Sequence, residues 1–231
     1  MSKVYLDYGH GGRDPGAVNG RYKEAEQVLQ IGELVTKDLE RHGIVVVHSR
    51  RNDSTVSLAS RTNKANRANT DILVSLHNNS FSNASANGIE TFSYPGSRDG
   101  ARLAKFLQEE LVVTKLFKSN RGTKTANFHM LRESRMPGAL VEIGFISNPA
   151  DLKVILNNKK ELAVAITKGI LRYFNIRYKA GATKAPKPSN GDRELFYRVV
   201  TGSFNNRDHA EKRIAELKKA GFDSFIDIYN K

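Results

Sequence analysis

Cysteine is absent from the 231 residues of the chain. The chain therefore cannot form a disulfide, a thiolate metal site or a cysteine nucleophile, so any metal must bind to His, Asp or Glu. Long apolar runs are also missing, since no segment approaches the roughly 18 apolar residues of a membrane span. Residues 1–10 lack the apolar stretch of a secretion signal. We therefore expect a protein made in the cytoplasm without a signal peptide, and not an integral membrane protein.

Acidic residues are few relative to basic ones. The chain has 37 Lys and Arg against 24 Asp and Glu, a formal net charge of +13. Such an excess indicates a polyanionic partner, which could be nucleic acid, an anionic membrane or an acidic cell envelope. The excess is spread over the first three quarters of the chain, whereas nucleic-acid-binding modules more often concentrate it on a stripe or tail. Charge alone leaves the three partners open.

Residues 1–178 alternate between short apolar runs and longer amphipathic segments. Apolar residues at a helical period predict a helix over Glu24–Arg41. The β-branched run at 44–47 predicts a buried strand covered on both faces. Further strands are predicted at 3–7, 72–76, 88–93 and 139–143, and further helices at 57–69, 98–113 and 159–174. Strands separated by helices predict an α/β fold with a mostly parallel sheet flanked by helices on both faces.

The chain changes character after Tyr178. Residues 179–191 are rich in Gly, Pro, Ser and Lys and contain no large apolar residue, which predicts a flexible linker. Residues 192–231 predict a small βαβ unit, with strands at 195–201 and 225–229 around a helix at 207–220. We therefore expect a domain large enough to be catalytic at 1–178, a linker at 179–191 and a small unit at 192–231.

Polar side chains suited to metal chemistry occur at the ends of predicted elements. His10 follows the first strand among glycines, and His77 ends the strand at 72–76. Open α/β sheets place their ligand sites at the carboxyl ends of such strands. Glu24 opens the first predicted helix, and two His with one Glu suit a catalytic zinc ion. Glu142 lies in an apolar strand, where a carboxylate is costly unless it is paired or functional, so it is a candidate general base.

Each of these residues also has a purely structural explanation. A glutamate in the first turn of a helix commonly serves the helix dipole, and Glu26 is a rival to Glu24 as the carboxylate ligand. The two histidines could be hydrogen-bonded residues at loop and strand ends. Other polar residues near these segments could contact a substrate or simply be solvated: Asp14, His129 and Arg132. Residue spacing alone leaves these alternatives open.

Four sequence blocks resemble the zinc-dependent N-acetylmuramoyl-L-alanine amidases of the Amidase_3 type. The blocks are VYLDYGHGGRDPGA at 4–17, YKEAE at 22–26, LVSLHNNS at 73–80 and GALVEIGFISNP at 138–149. They occur in the family's order and spacing, and the resemblance extends to about residue 174.

The resemblance implies a set of residue roles and a reaction. His10, Glu24 and His77 match the positions of the three zinc ligands, and Glu142 matches the catalytic glutamate. The implied cofactor is one catalytic Zn²⁺. The implied reaction is hydrolysis, by zinc-activated water, of the amide between N-acetylmuramic acid and the L-Ala of the peptidoglycan stem peptide. The expected setting is either a phage endolysin or a mother-cell enzyme acting late in sporulation, on the cell wall after release.

The C-terminal unit is similar to one βαβ repeat of the SPOR-type peptidoglycan-binding domain. The similar segment is FYRVVTGSFNNRDHAEKRIAELKKAGFDSFIDI at 196–228. Two such repeats normally form the domain, so a single repeat leaves an open strand edge that a second copy could cover. We therefore expect peptidoglycan as a partner, with a homodimer formed through this unit. The basic charge would attract anionic wall polymers.

Two other classes of function are weaker explanations of the same sequence. A peptidoglycan-binding protein without activity would not need His10, Glu24, His77 and Glu142 together. A nucleic-acid-binding protein would fit the charge, but the sequence contains no helix-turn-helix, zinc-finger or aromatic strand motif. We therefore expect neither a nucleic-acid nor a membrane partner.

Overall fold

The structure, a computed structural model, describes residues 2–180 and 206–221. Its main feature is a six-stranded sheet with the strand order β4-β1-β5-β8-β6-β7. The strands are β1 (Lys3–Tyr8), β4 (Val45–His48), β5 (Ile72–Asn79), β6 (Ile89–Ser93), β7 (Asn120–Thr125) and β8 (Gly138–Phe145). Four neighbouring strands, β4, β1, β5 and β8, run parallel, whereas β6 is antiparallel to β8 and parallel to β7. A separate two-stranded hairpin pairs β2 (Val18–Asn19) with β3 (Tyr22–Lys23).

Seven helices are present in the described residues. They are α1 (Glu24–Arg41), α2 (Leu58–Ala68), α3 (Arg98–Val113), α4 (His129–Arg132), α5 (Pro149–Asn157), α6 (Lys159–Tyr173) and α7 (Arg207–Lys219). Side-chain oxygens of Ser57, Ser97 and Asn148 accept hydrogen bonds from the first turns of α2, α3 and α5, as N-cap residues commonly do. None of the helices in the described ranges is long and apolar enough to span a membrane.

The period-two alternation of the strands divides the core between the two faces of the sheet. On one face, Val4 and Leu6 of β1 are buried with residues of α1, α3 and α6. On the other face, Tyr5 packs with Leu73 of β5, Ala65 of α2 and Met130 of α4. Residues His77 and Glu142 follow the same alternation onto this second face. The heavier helical layer therefore covers one face, and the candidate site residues lie on the other.

The predicted fold class, a mostly parallel sheet with helices on both faces, is confirmed. The interpretation of residues 44–47 as a strand covered on both faces is wrong. Strand β4 pairs with β1 alone, at the sheet edge, and the side chain of Val45 is exposed. Five elements were not predicted: the two hairpin strands β2 and β3, the strand β7, and the helices α4 and α5. The β7 sequence NRGTKT has too few apolar residues to indicate a strand.

The chain divides into two compact units, residues 1–180 and 181–231. In the second unit, the helix predicted at 207–220 is present as α7. The strands predicted at 195–201 and 225–229 lie outside the described residues, as does most of the predicted linker. The SPOR-like half-module and its dimerisation therefore stay predictions.

Candidate metal centre

His10, Glu24 and His77 come together at the carboxyl ends of β1 and β5. Each offers a ligand atom, and these atoms all lie within 4.8 Å of one another. Glu24 Oε1 is 3.2 Å from His10 Nε2 and 2.8 Å from His77 Nδ1. The rings of the two histidines meet edge to face, with centroids 4.9 Å apart. Two imidazole nitrogens and a carboxylate oxygen thus converge from three segments that are far apart in sequence.

The start of α1 is held against the glycine-rich loop that carries His10. Its N-cap position has no side-chain cap; instead Glu24 N donates to Ala17 O at 2.9 Å and Ala25 N donates to Pro15 O at 3.1 Å. Ala17 N in turn donates to Glu24 Oε2 at 2.9 Å. Loop and helix therefore satisfy each other's polar groups, which aims the Glu24 carboxylate at His10.

His10 has a backbone conformation that is uncommon for a residue with a side chain. Its φ is +58°, and Gly11 and Gly12 that follow also have positive φ. Such strain, of order 1–3 kcal/mol, persists where the surroundings fix it and is frequent at functional sites. His10 Nδ1 lies 2.7 Å from Asp14 Oδ2. This contact orients the ring so that Nε2 faces Glu24, as carboxylates do for metal-binding histidines.

Two buried arginines hold the backbone beneath the cluster. The guanidinium of Arg50 donates to the carbonyls of Tyr8, Gly9 and Ala25 at 2.7–3.0 Å. Arg61 donates to the carbonyls of Tyr8 and His10, both at 2.6 Å, and to Asp7 Oδ1 at 2.7 Å. These bonds fix the segments on either side of His10 and the start of α1. Sequence reasoning missed both arginines, because no local pattern indicates that they fold under this loop.

The electrostatics of the cluster favour a positive charge among its side chains. Although burial opposes ionisation of the imidazole, hydrogen bonds with Glu24 and Asp14 raise the pKa of His10 to about 9. Although burial opposes ionisation of the carboxyl too, hydrogen bonds from His10 and His77 hold the pKa of Glu24 far below its usual range. The site therefore favours positive charge beside the Glu24 carboxylate, and a metal ion would bind in place of the imidazole protons.

Glu142 lies beside the cluster, directly opposite His77 in the β5–β8 register. Burial, supported by the nearby carboxylates of Glu24 and Glu90, raises the pKa of Glu142 to about 7. Its Oε2 atom is buried and has no hydrogen-bond partner among the described residues. A carboxyl group with a raised pKa and a free oxygen, next to a candidate metal site, can accept and return a proton near neutral pH.

The structure separates the rival residues from the site. Glu26 is 44% exposed and lies 3.8 Å from Lys23 Nζ, outside the cluster. His129 Nε2 lies 3.4 Å from Thr62 Oγ1, and Arg132 pairs with Glu133 and Asn127. Asp14, considered above as a substrate contact, instead lies against His10. The arrangement as a whole, three side chains that could hold a metal ion beside a buried carboxyl at the carboxyl ends of parallel strands, is suited to metal-dependent hydrolysis.

Comparisons with known proteins identify the family. Residues 4–172 match the family described as N-acetylmuramoyl-L-alanine amidase, and residues 175–227 match the SPOR domain. The chain belongs to the N-acetylmuramoyl-L-alanine amidase family. The SPOR match begins before the predicted linker, so the boundaries predicted at 179–191 and 192–231 stay predictions.

Individual relatives and a solved structure agree with this assignment. The chain is 32% identical to the N-acetylmuramoyl-L-alanine amidase CwlM of Bacillus licheniformis, over 98% of this chain and 85% of the relative. It is 33% identical to the sporulation-specific N-acetylmuramoyl-L-alanine amidase of Bacillus subtilis, over 98% and 84%. An N-acetylmuramoyl-L-alanine amidase of Clostridium difficile has a similar fold, with a TM-score of 0.72 and 36% identity, over 75% of this chain and 97% of that one.

Proposed function

We propose that the chain hydrolyses the amide between N-acetylmuramic acid and L-Ala in peptidoglycan, with His10, Glu24 and His77 holding one zinc ion. The donor set supports zinc, because two histidines and one glutamate are a common ligand set of catalytic zinc that leaves a position open. The observation that carries the proposal is a carboxyl oxygen of Glu142 that lies beside this donor set and has no hydrogen-bond partner in residues 2–180 and 206–221. A protein that only binds peptidoglycan has no need for a buried carboxyl without a partner.

The proposed reaction gives each group of the site a separate role. A bound zinc ion supplies Lewis-acid polarisation of the amide carbonyl and of the attacking water. Glu142 takes a proton from the water as the water oxygen attacks the carbonyl carbon. It then returns that proton to the nitrogen of L-Ala as the carbon–nitrogen bond breaks. Asp14, Arg50 and Arg61 keep His10 and its loop in position throughout. The products are a lactyl carboxylate and a free amino terminus.

Digestion of purified peptidoglycan tests this function. New L-Ala amino groups should appear without new reducing sugar ends, stop when a chelator removes the metal and return when zinc is added. Reducing ends in place of amino groups would mean a glycosidase. Release of neither from any wall would favour the alternative, a peptidoglycan-binding protein without activity.

The biological setting that we propose is a mother-cell enzyme acting on the cell wall during sporulation. The support is the sporulation-specific relative of Bacillus subtilis, which matches this chain over 98% of its length. We further propose that the C-terminal unit binds peptidoglycan and pairs with a second copy, and that the +13 charge attracts anionic wall polymers.

The close approach of Gly9 to His77 gives a prediction for metal binding. A methyl group on Gly9 would lie 2.4 Å from His77 Cε1 and 2.7 Å from Nε2, well inside van der Waals contact. We expect Gly9→Ala to displace the ring and to weaken zinc binding by about tenfold or more. Competition with a chromophoric chelator measures this. Gly96→Ala is the control, because its methyl group would meet no neighbour within 4 Å, and the strain of its φ of +80° should lower stability without changing zinc affinity. Unchanged affinity in Gly9→Ala would contradict the assignment of His77 as a ligand.

A further inference from the structure

A cluster of three charged side chains lies next to Glu142, outside the metal centre. Glu90 on β6 is almost fully buried and accepts a hydrogen bond from Arg121 Nε of β7 at 3.0 Å. Lys124 Nζ of β7 also donates to this carboxylate, and Asn79 Nδ2 donates to its other oxygen at 2.6 Å. The two cations remain accessible, with 37% and 41% of their side chains exposed. We call Glu90, Arg121 and Lys124 the cationic cluster.

The register of the sheet places this cluster in line with the reaction centre. His77 of β5 is opposite Glu142 of β8, and Glu142 is opposite Glu90 of β6. Residues directly opposite one another share a face of the sheet. Neighbouring strands are about 4.8 Å apart, so the Glu90 position lies roughly 10 Å from that of His77. Arg121 and Lys124 extend from β7 to Glu90, the residue directly opposite Glu142.

The cluster has one more positive than negative charge, and its cations are held in place. The guanidinium of Arg121 lies over the Phe145 ring, 5.0 Å from its centroid, and Lys124 Nζ lies 5.9 Å from that of Phe92. Such contacts restrain long cationic side chains. Within residues 2–180 and 206–221, the carboxylate of Glu90 is the hydrogen-bond partner of both cations, and the terminal nitrogens of Arg121 have no partner. Donors remain for an incoming anion.

We propose that Arg121 and Lys124 bind a free carboxylate of the stem peptide, carried by the residue that follows L-Ala. This proposal rests on the function proposed above. An extended chain advances about 3.3–3.6 Å per residue, so a carboxylate on the second residue lies roughly 7 Å from the scissile nitrogen. That span lies between the separations of the Glu90 position from Glu142, about 5 Å, and from His77, about 10 Å. Guanidinium and ammonium groups are the usual partners of carboxylates in proteins.

A structural role for the same ion pairs makes a different prediction. If Arg121 and Lys124 serve only to attach the edge strand β7 to β6, their removal should affect every substrate equally. If they bind a carboxylate, the effect should depend on whether the substrate has one. The charge of the substrate therefore distinguishes the two roles.

The test uses two synthetic N-acetylmuramoyl tripeptides whose second residue is a glutamate joined to the third residue through its side-chain carboxyl, so that its α-carboxyl can be varied. In one, the α-carboxyl of the second residue is free, and in the other it is a primary amide. The zinc-loaded full chain should hydrolyse the acid with a kcat/KM about tenfold higher than the amide, as expected for charge-assisted hydrogen bonds at a partly exposed site. In Arg121→Gln and Lys124→Gln, kcat/KM for the acid should fall to the value for the amide. The kcat/KM for the amide should change by less than about twofold.

Control measurements separate this proposal from the function itself. Lys105→Gln removes an exposed cation of α3, which lies on the other side of the sheet, and should leave both substrates unchanged. Binding of both tripeptides to zinc-loaded Glu142→Gln, followed by calorimetry, tests the preference without hydrolysis. Equal binding and hydrolysis of acid and amide by the wild type, or equal losses for both in the variants, would overturn the carboxylate subsite but not the amidase. Failure to release L-Ala from peptidoglycan overturns the amidase and with it the subsite.

Discussion

The zinc-loaded Glu142→Gln variant is expected to release L-Ala amino groups from peptidoglycan about 10²–10⁴-fold more slowly than the wild type. This range is what general acid–base catalysis by a positioned side chain contributes. Glutamine keeps the size of the side chain but cannot take a proton from water or return it to the leaving nitrogen. Initial rates of amine release, at equal zinc content, measure the effect.

The zinc content of the variants distinguishes a loss of proton transfer from a loss of the metal. Glu142 is not one of the three candidate ligands, so Glu142→Gln should bind zinc as tightly as the wild type does. Glu24→Gln should lose zinc, because its carboxylate contacts both histidines. The matched control is Glu26→Gln, which changes a partly exposed glutamate two residues away and should have normal activity and metal content. A fully active Glu142→Gln enzyme would remove Glu142 from the mechanism.

The second large effect is expected for stability rather than catalysis. Asp7 is 1% exposed, and its carboxylate accepts hydrogen bonds from Arg61 Nη1 and Ser75 Oγ, both at 2.7 Å. Breaking a buried ion pair by removing one partner leaves an uncompensated charge and costs about 3–5 kcal/mol. We expect Asp7→Asn to lower the free energy of unfolding by that amount and Tm by on the order of 10 °C.

The pH dependence of this loss follows from the direction of the pKa shift. Although burial opposes ionisation, the Arg61 guanidinium holds the pKa of Asp7 below its usual range. The ionised carboxylate therefore stabilises the fold above the unfolded-state pKa of about 3.9, and this contribution is lost as the pH falls through the lower folded-state pKa. The difference between wild type and Asp7→Asn should be full at pH 7 and should shrink at pH values below about 4.

Denaturant unfolding at several pH values measures both parts of this prediction. Asp99→Asn is the control, because Asp99 is 64% exposed and lies 3.4 Å from Arg102 in a surface pair. Such pairs contribute about 0–1 kcal/mol. An Asp7→Asn loss no larger than that of Asp99→Asn would show that the buried pair does not stabilise the fold. Arg61 also bonds the carbonyl of His10, so weaker zinc binding should accompany the loss.

Much of the fold could be predicted because its signals are local. The apolar period of Glu24–Arg41 gave the bounds of α1, and the bounds predicted for α3 are those observed. Strand β7 could not be predicted, since its polar sequence forms a strand only because β6 offers an edge for pairing. The burial of residues 44–47 could not be predicted from the sequence either. A β-branched run suits a central or an edge strand alike, and strand order decides between them.

The candidate site shows the same division between local and tertiary information. The sequence by itself indicated the candidates for metal binding and proton transfer, because His10, Glu24, His77 and Glu142 stand in recognisable blocks at or near the ends of predicted elements. Only the tertiary structure decided what surrounds them. The β6–β8 register sets Glu90 opposite Glu142, and folding brings Arg50 and Arg61 beneath the His10 loop. These contacts join residues 41 to 52 positions apart, and their geometry depends on strand register and side-chain packing, which local sequence patterns do not specify.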